Sequence, residues 1–180
     1  MWALVEDSEI SKVYTRPTAI TVGDNQYPAN VMTLWSDAKL RSIGVYRVIV
    51  DNANLKDQAY YINTNQEFAY DADANTVTAS YGTATAKDLD TLKTNHKQVI
   101  TNQAYSLLQP NDWLVVRNQE AGTDIPSDWT TFRTGVRTAS ASMKSKIDAV
   151  SDVDALAALY VYNDADPPVR PLGEFPTPPE

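Results

Sequence analysis

The period of the apolar side chains changes near Thr85, and that change limits the chain to an α+β organisation in which a strand-rich half precedes a helical half. Before it, Val45-Tyr46-Arg47-Val48-Ile49-Val50 is dense in β-branched and aromatic residues and predicts a strand with a core position. Trp2, Leu4, Ile10, Val13 and Tyr14 fall in two short runs around Glu6-Asp7-Ser8-Glu9, which predicts a hairpin with a polar turn. Residues 19–22 form a further strand candidate ended by Gly23-Asp24-Asn25, and Ser36 suits the N-cap of a short helix over 37–43 that stops at Gly44. Residues 60–64, 66–70 and 76–81 supply two or three more strands, with 71–75 as a hairpin turn. Residues 1–84 therefore predict a β-rich unit with antiparallel pairing.

From residue 85 the spacing is helical. Thr85 with Asp88 approximates a capping box, and Leu89, Leu92, Val99, Ile100, Ala104, Leu107 and Leu108 follow at helical intervals until Pro110. A helix of about 22 residues there would extend about 33 Å. Leu114-Val115-Val116 predicts a short extended piece, and a second helix starts near Pro126-Ser127 with Trp129, Phe132, Val136, Met143, Ile147 and Val150 along one seam. The two helices predict a helical hairpin over 85–163. Ser151 with Asp154 caps a short third helix to about residue 162, and 164–180, with Pro167, Pro168, Pro171, Pro176, Pro178 and Pro179, predicts an extended, solvent-exposed tail unless a partner orders it.

Composition excludes several classes of function. A formal net charge of −8 and a pI near 4.6 argue against general attraction to nucleic acid or an anionic membrane. The absence of cysteine removes disulfides, thiolate metal sites and thiol catalysis, and suits a reducing cytoplasm. No apolar run approaches the length of a membrane span, and Met-Trp-Ala-Leu-Val-Glu-Asp lacks the basic leader of a secretory signal, so a soluble protein without a cleaved signal is expected.

Chemistry is sparse. His96, the single histidine, has Asn95 and Lys97 beside it and no carboxylate nearby in sequence, and reads as a surface residue. Asp71, Asp73 and Asn75 imitate the start of a calcium loop, but Thr76 stands where glycine is needed and Gly82 where the bidentate glutamate is needed, so a plain turn is favoured. With no glycine-rich phosphate loop, nucleophile elbow or zinc helix, neither an enzyme nor a cofactor is expected. Arg133 and Arg137 lie one turn apart and suit a carboxylate clamp, stacking on Trp129, or contact with a partner. Asp112 suits turn chemistry or an ion pair with one of these arginines across the hairpin.

Leu107-Leu108, Asn111-Asp112-Trp113, Trp129-x-x-Phe132-Arg133-x-x-Val136-Arg137 and Phe175-Pro176-x-Pro178 resemble, in order, the pattern of bacteriophage tail-fibre assembly chaperones. In that pattern, threonine stands in place of Asn111, tyrosine of Phe132, leucine of Val136 and tryptophan of Phe175. Tyr27-Pro28 and Ile43-Gly44-Val45-Tyr46 are similar to the phrase that precedes the helical domain. The resemblance implies a non-catalytic protein of the infected bacterial cytoplasm that assists tail-fibre assembly, with homo-oligomers possible. Its alternative is a structural component retained in the virion tail. Trp113, Trp129, Phe132, Arg133 and Arg137 are the expected partner contacts, since aromatic and arginine side chains anchor interfaces. Trp129 and Phe132 suit the hairpin's own core as well, and Arg133 acts in binding only where its head group is exposed.

Overall fold

The computed structural model describes residues 1–179 and divides into two compact units, Met1–Thr85 and the chain from Ala86 onward. It is an α+β protein with a strand-rich sheet first and helices after it.

In the first unit, β1 (Trp2–Glu6) and β2 (Glu9–Tyr14) form a hairpin whose turn residues Asp7 and Ser8 both take positive φ. The short strands β3 (Ile20–Val22) and β4 (Asn25–Tyr27) pair with each other, followed by α1 (Val31–Leu34) and α2 (Asp37–Arg41). Ser36 caps α2, its hydroxyl accepting from the Lys39 N–H. Next come β5 (Val45–Asp51), β6 (Tyr61–Ile62), β7 (Gln66–Asp71), β8 (Thr76–Tyr81) and β9 (Thr85–Ala86).

The main sheet has the order β2-β1-β5-β8-β7. Its pairs are antiparallel except one: β5 runs parallel to β8, with Val48 opposite Val77 and Val50 opposite Ala79. This corrects the expectation of purely antiparallel pairing. A parallel pair needs a crossover of a dozen or more residues, and the stretch between β5 and β8 supplies it.

Alternation along the strands gives the sheet two apolar faces. Leu4 and Val45 meet Ile20, Val31, Met32 and Leu40 on one side, beneath α1 and α2. Ala3, Tyr46 and Val77 are buried on the other, joined by Ile10 and Val13 from one edge strand and Tyr70 from the opposite edge. The sheet thus coils until its edges share one cluster, following the twist inherent to strands. Within it the Tyr46 hydroxyl donates to Asn75 Oδ1 at 2.8 Å and lies 3.2 Å from the Tyr70 hydroxyl. Burial, ahead of the Tyr70 bond, pushes Tyr46 up to about 12.

In the second unit α3 (Leu89–Leu108) and α5 (Ser127–Ala149) pack as a hairpin, with α4 (Trp113–Ala121) between them in sequence and α6 (Val153–Ala158) after. Buried positions recur at three and four residues: Leu92, Ile100 and Ala104 on α3, and Phe132, Val136, Ser140, Met143 and Ile147 on α5. Three local expectations change. Asp88, not Thr85, caps α3, accepting from the Thr91 N–H at 2.8 Å, while Thr85 lies in β9. Asp152, not Ser151, caps α6 through the Ala155 N–H at 2.7 Å. Leu114-Val115-Val116 is helical, because Leu114 turns into the core while Trp113 and Val116 face solvent, a helical division that a strand cannot make.

The proline-rich segment also departs from expectation, for it folds back on the helices. Leu172 is 1% exposed, its N–H donates to Leu159 O at 2.9 Å, and Phe175 packs against Ala104, Phe132 and Val136.

Gly44 ends the α2 turn at φ +76°, and a Cβ there would stand 2.7 Å from Val5 O, which itself belongs to β1. Gly44→Ala should destabilise the first unit by about 1–3 kcal/mol from backbone strain alone, with further loss from the clash, read as a lower urea midpoint. A wild-type midpoint would refute this account of the β1–α2 junction.

Candidate functional site

Four of the expected contact residues, Trp113, Trp129, Phe132 and Arg133, lie where α3 stops and α5 begins, and Arg137 stands one turn further along α5. A helix C-terminus leaves carbonyls without partners, and here they are met by side chains. After α3 the chain makes a 3-10 turn, Gln109–Asn111, with Pro110 in its first positions. The Asn111 carboxamide is 3% exposed and uses both ends: Nδ2 donates to Leu107 O at 2.9 Å, and Oδ1 accepts from Arg133 Nη1. An aspartate could accept there but not donate, and an alanine could do neither.

Arg133 reaches across from α5. Nη1 also donates to Leu108 O at 3.2 Å, and Nη2 donates to Asp112 Oδ1 at 2.8 Å. One guanidinium therefore joins a helix-end carbonyl, an amide and a carboxylate, and its positive charge lies at the negative end of the α3 dipole. Its side chain is 7% exposed against 54% for Asp112, so the pair is buried on one side only.

The five expected contacts now separate. Burial removes Phe132 and Arg133 from the surface, since they are 4% and 6% exposed within the unit. Trp129 is half-buried, edge-on to Phe132 at 5.8 Å between ring centroids, with Phe175 on the same cluster. Arg137 is exposed on α5. Trp113 is 56% exposed at the start of α4, and Arg117, one turn on, stacks over its ring at 4.8 Å. Val116, 53% exposed, stands three residues from Trp113 on the same helix. The i,i+4 spacing of Trp113 and Arg117 would have revealed this pair had α4 been read as a helix.

His96 is not a free surface residue. It continues the Leu92 and Ile100 stripe of α3, and Nδ1 lies 2.6 Å from the Tyr160 hydroxyl with the two rings 4.8 Å apart. Burial holds its pKa below the ordinary value. The 71–75 loop is a turn: Asp71 Oδ1 accepts from the N–H groups of Asp73 and Ala74, and Asn75 takes φ +54°. Among the described residues, no group of three or more His, Cys, Asp or Glu is placed to hold a metal ion, and no helix is long and apolar enough to cross a membrane. No family model, curated protein or solved structure matches the chain.

Arg133→Ala should lower the stability of the second unit by about 2–3 kcal/mol, because Asn111 Oδ1 and Leu108 O lose a charged donor. Asp112→Ala, whose partner pair is open to water, should cost under about 1 kcal/mol. Urea unfolding of both variants checks the order, and equal losses would rule out the buried clamp.

His96 carries a second expectation. With its folded pKa depressed, both states are neutral above the unfolded value of about 6.5, and below it the unfolded state takes up the proton first. Stability should fall as pH drops through that value until the folded pKa is passed. Melting measured from pH 7.5 to 5 should show this loss in wild type and a smaller one in His96→Gln.

Proposed function

We propose that this protein is a phage tail-fibre assembly chaperone or accessory protein that acts by binding a tail-fibre protein, without bond chemistry. The family reading rests on the order of the motifs from Leu107 to Arg137 and the closing Phe175-Pro176-x-Pro178. Support for a binding action comes from Trp113, a large aromatic ring more than half exposed yet held on a helix by the stacked Arg117. Exposed tryptophan beside arginine is the composition of an interface anchor. Holding the ring in place lowers the side-chain entropy lost when a partner covers it. Phe132 and Arg133 serve the site from beneath: they set the turn that presents Trp113. The contact surface is accordingly Trp113 with Val116, the open edge of Trp129, and Arg137.

A second reading is a structural component kept in the virion tail, favoured by Ile49 and Val50, 53% and 46% exposed on β5 of the strand-rich unit. Near-stoichiometric copies in purified particles would support it. Presence in lysates alone would support the chaperone.

Co-expression with a candidate fibre protein checks the binding surface. Trp113→Ala should reduce recovered complex at least tenfold, matching an anchor worth about 2 kcal/mol, and should shift the melting midpoint little. Undiminished complex and fibre yield with this variant would exclude Trp113 as the anchor.

A further inference from the structure

One face of the strand-rich sheet ends in a polar pair. Alternate residues of a strand share a face, so Val77, Ala79 and Tyr81 of β8 point the same way, and Tyr70, Phe68 and Gln66 of β7 form the row beside them. The register sets Tyr70 opposite Val77 within the apolar cluster, and Gln66 opposite Tyr81 at the far end of the same two rows. Both Gln66 and Tyr81 are half-buried. Among the described residues neither side chain makes a hydrogen bond, and residues directly opposite on paired strands stand close enough to hold one ligand together.

This pair lines a cavity of about 470 Å³, within the range of small-molecule sites, about 300–1,000 Å³. The rest of its wall comes from residues 58–65, a segment braced against the strands. The Asn63 carboxamide clasps the Lys56 backbone at both ends, accepting from its N–H at 2.9 Å and donating to its C=O at 2.7 Å. Thr64 Oγ1 accepts from the Gly82 N–H at 2.8 Å, and glycine leaves room for that approach, since a Cβ would stand 3.2 Å from the same oxygen. Tyr61 also lines the cavity, its ring steadied by Lys56 Nζ at 5.7 Å from the centroid. Apart from Ile62, the walls are carboxamides, a hydroxyl and tyrosine rings, and among the described residues no carboxylate, ammonium or guanidinium lines them.

Walls of this chemistry select a ligand by exclusion and by fit. A phosphate or carboxylate would need a cation, and a hydrocarbon would leave the carboxamides unpaired. A sugar ring meets both demands, because each hydroxyl donates and accepts, as a carboxamide does with its two ends, and the ring's C–H surface rests on aromatic side chains. We propose that this cavity binds a neutral saccharide, with the Gln66 carboxamide and the Tyr81 phenol bonding its hydroxyls and the tyrosine rings lining its C–H surface. The site lies wholly in the first unit and does not rest on the tail-fibre reading. An extended peptide is the poorer occupant, because peptide strands add at a sheet edge, whereas Gln66 and Tyr81 look out from a sheet face.

Saturation-transfer NMR on the full chain tests this with neutral probes, namely maltotriose, cellotriose, mannotriose, chitotriose and lactose, and with acetyl-triglycine-amide as a peptide of similar size. At least one saccharide should receive saturation and titrate with a Kd on the order of 1 mM or tighter. Gln66→Ala should weaken that saccharide about tenfold, the effect of losing one hydrogen-bonding group. Tyr81→Phe, which keeps the ring and removes only the hydroxyl, should weaken it in the same direction. Neither group bonds within the chain, so both variants should melt with wild type, and a folding defect in one leaves the other to decide. Silence from every saccharide, or wild-type affinity in the folded variants, overturns the proposal. Transfer to acetyl-triglycine-amide in place of the saccharides would assign the cavity to a peptide and overturn it as well.

Discussion

The second unit depends on one buried cation. Where α3 ends, its last carbonyls point away from any continuing helix, and the Arg133 guanidinium takes up Leu108 O together with Asn111 and Asp112. Removing an arginine from water is costly unless its donors are met by acceptors in good geometry, so the arrangement is stable only as a set. Because Arg133 sits one residue after Phe132 and three before Val136, locking its head group also fixes which face of α5 is turned to α3. The turn so fixed delivers Trp113 to the surface, and the same register lays Phe132 under Phe175.

This coupling clarifies how one short motif serves two ends. Tryptophan and arginine at helical spacing suit an exposed anchor and a packed seam equally well, and spacing alone does not separate them. Depth separates them here: Arg133 lies beneath the turn, Arg137 one turn later lies in solvent, and Trp113 is presented outside. Arg117, one turn further along the same helix α4, shields one face of the Trp113 ring. The exposure of Trp113 is a product of the core below it.

Legibility in the sequence followed the range of the forces involved. The β1–β2 hairpin, β5, the Ser36 cap and the α5 seam are set by neighbours within a few residues, and each was readable from spacing and turn chemistry. The parallel β5–β8 pair was not, because strand direction depends on where a long crossover returns. Leu114-Val115-Val116 has the β-branched content of a strand, but burial of Leu114 alone among the three turns it helical, a tertiary preference that outweighs local propensity. The site was legible as residues and illegible as roles: Asn111 reads as an ordinary turn residue until both ends of its amide are seen to be bonded.

The terminal segment shows the same limit from composition. Density of proline argues for an extended, hydrated tail, and the argument holds for backbone that has nothing to rest on. Two residues change the balance here. Phe175 brings an aromatic ring onto an apolar floor, and Pro176 fits where α5 carries Gly135. Glycine inside a helix costs about 1 kcal/mol relative to alanine, an expense that α5 has no local reason to bear at this position. Close approach of the pyrrolidine ring supplies the reason, since any Cβ would press on it. The helix gives up intrinsic stability at the point where Pro176 crosses it, so Gly135 answers physically to the returning Phe175-Pro176 segment more than to the hairpin seam.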